Sequence, residues 1–202
     1  MRGIELAARL QAAPFSSPGW LRVPCRNHTM AGWLLRAITM ENVSVRPEEG
    51  SILLLAGPSF RVQKEIKNVI TVITKTTHYW SGHLMRLQQL GIANLFHQLD
   101  SEASLLQPAW TPSAENIDAR KRIQGALEDV TGLRITDHSY DEWIGLDCGS
   151  APSAITTMRR LVASNILCRR EEAAIFVPLN PAADPHGTRL ARSVAGLLAQ
   201  NA

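Results

Sequence analysis

Residues 150–179, SAPSAITTMRRLVASNILCRREEAAIFVPL, constrain the fold more than any other stretch of this 202-residue chain. Ile155, Met158, Leu161 and Val162 recur at helical spacing, so residues 152–164 read as an amphipathic helix. Thr156, Arg159, Arg160 and Ser164 fall on its outer side. Asn165 stands where that helix must stop. Asn enters the left-handed region more readily than other non-glycine residues, so it can replace a terminal Gly. Ile166 and Leu167 then return to a core. Cys168 to Glu172 and Ala174 to Leu179 read as a hairpin whose tip is Glu171-Glu172-Ala173.

The preceding residues complete a small domain over 115–180. AENIDARKRIQGALEDV, roughly 114–130, offers Ile117, Ile123, Ala126, Leu127 and Val130 as the inner face of a helix, with Gly132 as its C-cap. LRIT, 133–136, reads as a short strand. SYDE, 139–142, has the form of a capping box in which Ser139 and Glu142 each satisfy a free backbone N–H. A second helix is therefore expected over about 140–147, burying Trp143 and Ile144. CGSAPS is a turn.

This order is helix, strand, helix, turn, helix, hairpin. It resembles the winged helix-turn-helix domain of bacterial regulators, the GntR and MarR types especially. The residues that carry the resemblance are Met158-Arg159-Arg160-Leu161, Asn165-Ile166-Leu167, Arg169-Arg170 and Ile175-Phe176-Val177. Glu142 and Ser150 match the family's helix-two glutamate and turn serine. The match covers about a third of the chain. Asp147 stands where the family buries a Leu (Leu146 is adjacent), Asn165 replaces Gly, and Pro152 makes the turn non-standard.

The resemblance implies an α+β, mostly α fold and a transcriptional regulator that binds double-stranded DNA. Helix 152–164 would be its recognition helix, entering the major groove with its N-terminal residues on base edges. Ser150, Ser153 and Thr156 would meet bases or phosphates, and Arg159 and Arg160 would meet guanine or phosphate one turn on. Arg169 and Arg170 at the wing base suit phosphate or the minor groove. Lys121 and Arg122 on the first helix reach backbone. A homodimer would suit two-fold sites. A plainer reading stays open: Arg159 and Arg160 form a solvated face, Arg169 and Arg170 pair with Glu171 and Glu172, and the winged helix binds protein. Glutamates at the wing tip repel phosphate.

Upstream, residues 1–40 hold five Arg and one acid, Glu5, with Pro14, Pro18 and Pro24 breaking any long helix. They read as a poorly ordered arm. An organelle leader, or translation starting later at Met30 or Met40, are alternatives. Residues 41–110 read as a helical domain with a short strand. Pro47 and Gly50 bracket a turn, Ile52 to Leu55 form a buried strand, and Gly57-Pro58 ends it. Val62, Ile66, Val69, Ile70 and Ile73 start a helical run over 61–99, continued by Leu84, Leu87, Leu90, Leu95 and Leu99. Gly82 and Gly91 are its weak points, and Thr71 to Thr77 also suit a strand. This helical region suits dimerisation or effector sensing, or buttresses the winged helix; the sequence names no ligand for it. Residues 100–114 read as a linker, and 186–202 as an amphipathic helix with Leu190, Val194, Leu197 and Leu198 on one face.

The net charge of +3 permits an anionic partner without requiring one. Three widely spaced cysteines, Cys25, Cys148 and Cys168, offer neither a disulfide framework nor a zinc site, so a reducing cytoplasm fits best. No apolar run is long enough to span a membrane. No cofactor is expected and no enzyme. Cys148, with His138 ten residues upstream, sits in no nucleophile motif and reads as a small residue in a tight turn. His78 and His83, five apart, share an α-helical face poorly. GSAPS lacks the Lys and spacing of a phosphate-binding loop.

Overall fold

The computed structural model describes residues 1–109, 113–138 and 140–199. Ser139, Pro112 and the side chains of Leu197 and Leu198 lie outside the described residues, and with them the capping box and part of the C-terminal apolar face. The chain is an α+β protein that divides into two units, Met1–Gln98 and Leu99–Ala202.

In place of the expected arm, residues 1–40 supply half of the first unit. Helix α1 spans Arg2–Ala8, strand β1 Ala13–Pro14, strand β2 Trp20–Pro24 and helix α2 His28–Met40. The three prolines break no helix. Pro14 lies on an edge strand, Pro18 in a turn and Pro24 at the end of β2, positions that need no ladder N–H. Asn27 caps α2 by accepting from the Met30 N–H at 2.8 Å. Strands β3, Val45–Glu48, and β4, Ser51–Leu55, complete an antiparallel sheet of order β1-β2-β4-β3. Pro47 therefore sits in the other edge strand, opposite Ile52, and the turn is Glu49-Gly50 with Gly50 at φ 62. Val23, Ile52 and Leu54 from the sheet and Met30, Leu34 and Ile38 from α2 are fully buried.

The expected 61–99 run divides into two helices. A wide π-type turn, Val62–Ile66, leads into α3, Lys67–His78, and a second, Tyr79–His83, ends it. Gly82 lies in that second turn, and Leu84 is extended. The Thr-rich stretch is helix rather than strand. Thr74 and Thr76 donate to the Ile70 and Val72 carbonyls at 2.6 and 2.8 Å, a bond the hydroxyl makes within a helix. α3 packs against α1 and α2, burying Val72, Ile73 and the Trp80 just beyond it. Helix α4, Arg86–Glu102, runs through Gly91 unbroken and carries the chain from the first unit into the second.

The second unit contains α5, Ala114–Thr131, capped by Ser113 and ended by Gly132 at φ 68 as expected. Its buried face is Ala119, Ile123 and Leu127, one row at i, i+4, i+8; Ile117 and Val130 are exposed. The expected second helix is not formed. Residues Trp143–Asp147 are strand β5, and among the described residues no helix separates α5 from α6, Ala151–Ala163. Strands β6, Arg169–Glu171, and β7, Ala174–Pro178, form the expected hairpin, and the sheet order is β5-β7-β6, all antiparallel. The 133–136 strand shrinks to one bridge, Ile135 to Leu146.

Sheet geometry explains the correction. WIGL is a short apolar run bounded by turns, the pattern of a strand buried on both faces. Ile144 and Leu146 share one face with Ile175 and Val177, while Trp143 and Gly145 share the other with Phe176. A Cβ on Gly145 would overlap Thr136 Oγ1 and stand 2.9 Å from Phe176 Cε1, so the strand needs glycine there.

The expected linker is tied into this unit. Leu106 is buried, exchanges backbone bonds with Asn165 and Leu167, and Ala109 N–H donates to Leu179 O. Helix α7, Thr188–Ala199, closes the unit on α5. Asp184 caps α7 through the Arg189 and Leu190 N–H groups at 3.3 and 3.0 Å.

Candidate nucleic-acid interface

Helix α6 is two-faced. Ala154, Thr157, Met158 and Leu161 are buried, whereas Ser153 and Arg159 are exposed and Thr156 and Arg160 partly so. At 100° per residue the second set lies opposite the first. Four of the seven expected contact residues thus share the outward face of one helix. Ser150 is its N-cap. It accepts from the Ser153 N–H at 3.3 Å, and its hydroxyl donates to Ser153 Oγ at 2.9 Å. Gly149, at φ 73, makes the turn, and its N–H donates to Asp147 Oδ1 at 2.8 Å. Asp147, the departure from the family pattern, thereby holds the approach to α6.

The far end of α6 is held by Asn165. Its φ is 58, the left-handed value expected of it. Its side-chain amide is buried and donates to Asp100 Oδ1 at 2.8 Å and Ala103 O at 2.9 Å. Its carbonyl accepts from the Leu106 N–H and from Arg189 Nη2. Glycine would suit the backbone but could make neither side-chain bond.

The wing arginines separate. Arg169 is buried, with its side chain 9% exposed. Its guanidinium stands 4.4 Å from the Tyr140 ring centroid and 5.7 Å from that of Trp143, with Glu171 Oε1 at 3.6 Å. Burial depresses its pKa, and the Tyr140 and Glu171 groups oppose that. Arg169 supports the sheet and is not placed to meet a phosphate. Arg170 points the other way and donates to Glu172 O at 2.7 Å at the hairpin turn, where Glu172 has φ 49. The alternation of a strand, which sends neighbouring side chains to opposite faces, was the signal for this split.

Around Arg169 is a cluster that no sequence pattern joins. The Tyr140 hydroxyl bonds Glu171 Oε1, and His138 Nε2 lies 3.9 Å from Glu171 Oε2. Tyr140 packs edge-on to Phe176 at 5.3 Å. Arg120 of α5 donates to the carbonyls of Tyr140, Asp141 and Trp143 at 2.9–3.0 Å. Burial, and then the bond to Glu171, raise the Tyr140 pKa. This cluster fixes the 140–143 turn onto the sheet.

No family model, curated protein or solved structure matches this chain.

The remaining candidates are placed as follows. Lys121 and Arg122 are exposed on α5. Cys148 is partly buried, and burial raises its thiol pKa. Cys168 is fully buried with its thiol raised likewise, and Cys25 is pushed up to about 11. His78 and His83 come together after all, with ring centroids 5.2 Å apart. The turn between them is π-type, with the Leu84 N–H donating to Tyr79 O, so residues five apart align. Among the described residues no three His, Cys, Asp or Glu side chains are grouped to hold a metal ion. No described helix is long and apolar enough to cross a membrane.

Proposed function

We propose that the second unit binds double-stranded DNA as a winged-helix-like transcriptional regulator, with α6 as the helix presented to the groove. The observation that carries this reading is the outward stripe of α6, where Ser153, Thr156, Arg159 and Arg160 stand together opposite a buried face. Two cations and two small hydroxyl side chains on one helix face suit phosphate and base-edge contact. Ser150 at the N-cap and Arg170 beside the hairpin extend the contact set; Arg169 leaves it, because it is buried beneath Tyr140. The chain order α6-hairpin and the sheet order β5-β7-β6 fit a helix with a wing. The strand at 143–147 stands where a helix-turn-helix has its first helix, so support for α6 comes from the sheet and α7.

A regulator of two-fold sites acts as a dimer. Leu87, Leu90 and Leu95 of α4, all exposed, supply apolar surface for one. A mobility-shift series against genomic fragments tests the main reading. Wild-type protein shifts a subset of fragments at low salt, and Arg159→Ala/Arg160→Ala does not; equal shifts by both proteins overturn it.

Docking of a protein partner on the same face is the second reading. The hairpin tip favours it: Arg170 is engaged by the Glu172 carbonyl, and Glu172 is itself exposed, which would repel phosphate. A nuclease-insensitive, stoichiometric complex in a pull-down supports this reading instead.

A further inference from the structure

The first unit contains a cavity of about 420 Å³ between the end of α1, the start of α2 and the last turns of α3. That volume falls in the range of small-molecule sites, about 300–1,000 Å³. Its polar lining is Arg9, Arg26, Thr74, Thr77, His78 and Ser81, and no carboxylate lines it. Glu5 lies beside Arg9 on an adjoining groove, not on this one. Neither Arg9 nor Arg26 makes an ion pair among the described residues.

Thr77 points to a ligand independently of those charges. It is 6% exposed, and its Oγ1 is buried without a hydrogen-bond partner. Thr74 and Thr76 on the same helix both donate to the carbonyl four residues back. Thr77 does not, and the Ile73 carbonyl it would use accepts from Thr76 at 3.2 Å. A buried hydroxyl left without a partner is destabilising, so such groups normally have one. Thr77 forms part of the cavity wall, so a ligand there can supply that partner once the hydroxyl turns toward it.

We propose that this cavity binds a phosphorylated small molecule. A phosphate monoester carries three acceptor oxygens and close to two negative charges at neutral pH. Two guanidinium groups and the Thr77 and Ser81 hydroxyls are donors of the kind that satisfy it. The cavity exceeds the size of a bare phosphate, and Leu10 and Met30 give an apolar wall for the organic part. This site lies wholly in the first unit and does not rest on the nucleic-acid reading of the second.

Titration calorimetry on the full chain with phenyl phosphate, inorganic phosphate and benzoate decides it. Phenyl phosphate saturates one site at millimolar concentration or below, more tightly than inorganic phosphate or benzoate. Arg26→Ala weakens it by at least about tenfold, the scale of one charge-assisted contact. Thr77→Val weakens it with no loss of melting temperature, and Thr77→Ser restores it. No saturation by phenyl phosphate, equal binding of benzoate, or wild-type affinity in both Arg26→Ala and Thr77→Val overturns the proposal. If Thr77→Val does not fold, Arg26→Ala decides alone, because Arg26 is exposed.

Discussion

Arg169 and Asn165 do the most specific work of any single residues in the second unit. Arg169 packs its guanidinium on Tyr140 and reaches Glu171 from a buried position. Arg169→Ala removes both and takes a cation from the part-buried Glu171 carboxylate, so urea unfolding should show a loss of roughly 2–3 kcal/mol. The same variant should bind nucleic acid as wild type once folded, whereas a surface wing cation would behave the opposite way. At Asn165 the left-handed backbone was legible from residue type, but the amide's partners, Asp100 and Ala103, were not, since they lie more than 60 positions away. Asn165→Gly keeps the backbone and loses both bonds, with an expected cost of about 1–2 kcal/mol in the same assay. Neutral or stabilising behaviour would mean that the backbone alone selects Asn. Glu65 offers a pH test. The Arg61 side chain holds its carboxyl down to about 2. A depressed folded pKa stabilises above the ordinary carboxylate range, and that contribution disappears as pH falls toward 2. An NMR titration should place the Glu65 midpoint near 2 and raise it in Arg61→Ala, with the backbone N–H groups of residues 61 and 65 still holding it below the ordinary carboxylate value; an unmoved midpoint would remove the Arg61 side chain as the leading cause.

Elements with a long, single-minded pattern were legible, and short ones depended on tertiary neighbours. The α5 and α6 helices and the hairpin follow from periodicity, Gly132 and Asn165. The expected second helix failed because its eight residues carry an apolar run that a strand buries equally well, and β7 was there to pair with it. Gly145 was the available clue: it weakens a helix and is required where Thr136 and Phe176 close on the strand. Gly145→Ala should therefore cost roughly 1–3 kcal/mol, read from the urea midpoint; a helix at 140–147 would instead gain from alanine. Residues 1–40 misled for a related reason. Composition marked them as an arm, but Val23, Met30, Leu34 and Ile38 supply core to a sheet completed by residues 45–55. The His78 and His83 pairing depended on a π-type turn, which an α-helical period does not anticipate.

On the scale of the molecule, two units stand in one chain, and each carries its own proposed chemistry: an arginine-lined cavity in residues 1–98 and an outward cationic helix face in residues 99–202. No sequence pattern marked the cavity, because its lining comes from three separate stretches that only the fold collects. The α6 face was legible, since one helical period spaces all its residues. The central claim is that this face meets nucleic acid through Arg159 and Arg160. Fluorescence anisotropy of a labelled duplex across a salt series measures that most directly. Each phosphate neutralised adds about 0.9 to the slope of log K against log salt. Arg159→Ala/Arg160→Ala, at unchanged urea stability, should bind more weakly and lower that slope by up to about 2, while Arg169→Ala leaves it unchanged. Equal affinity and slope in wild type and the Arg159→Ala/Arg160→Ala variant would contradict the account.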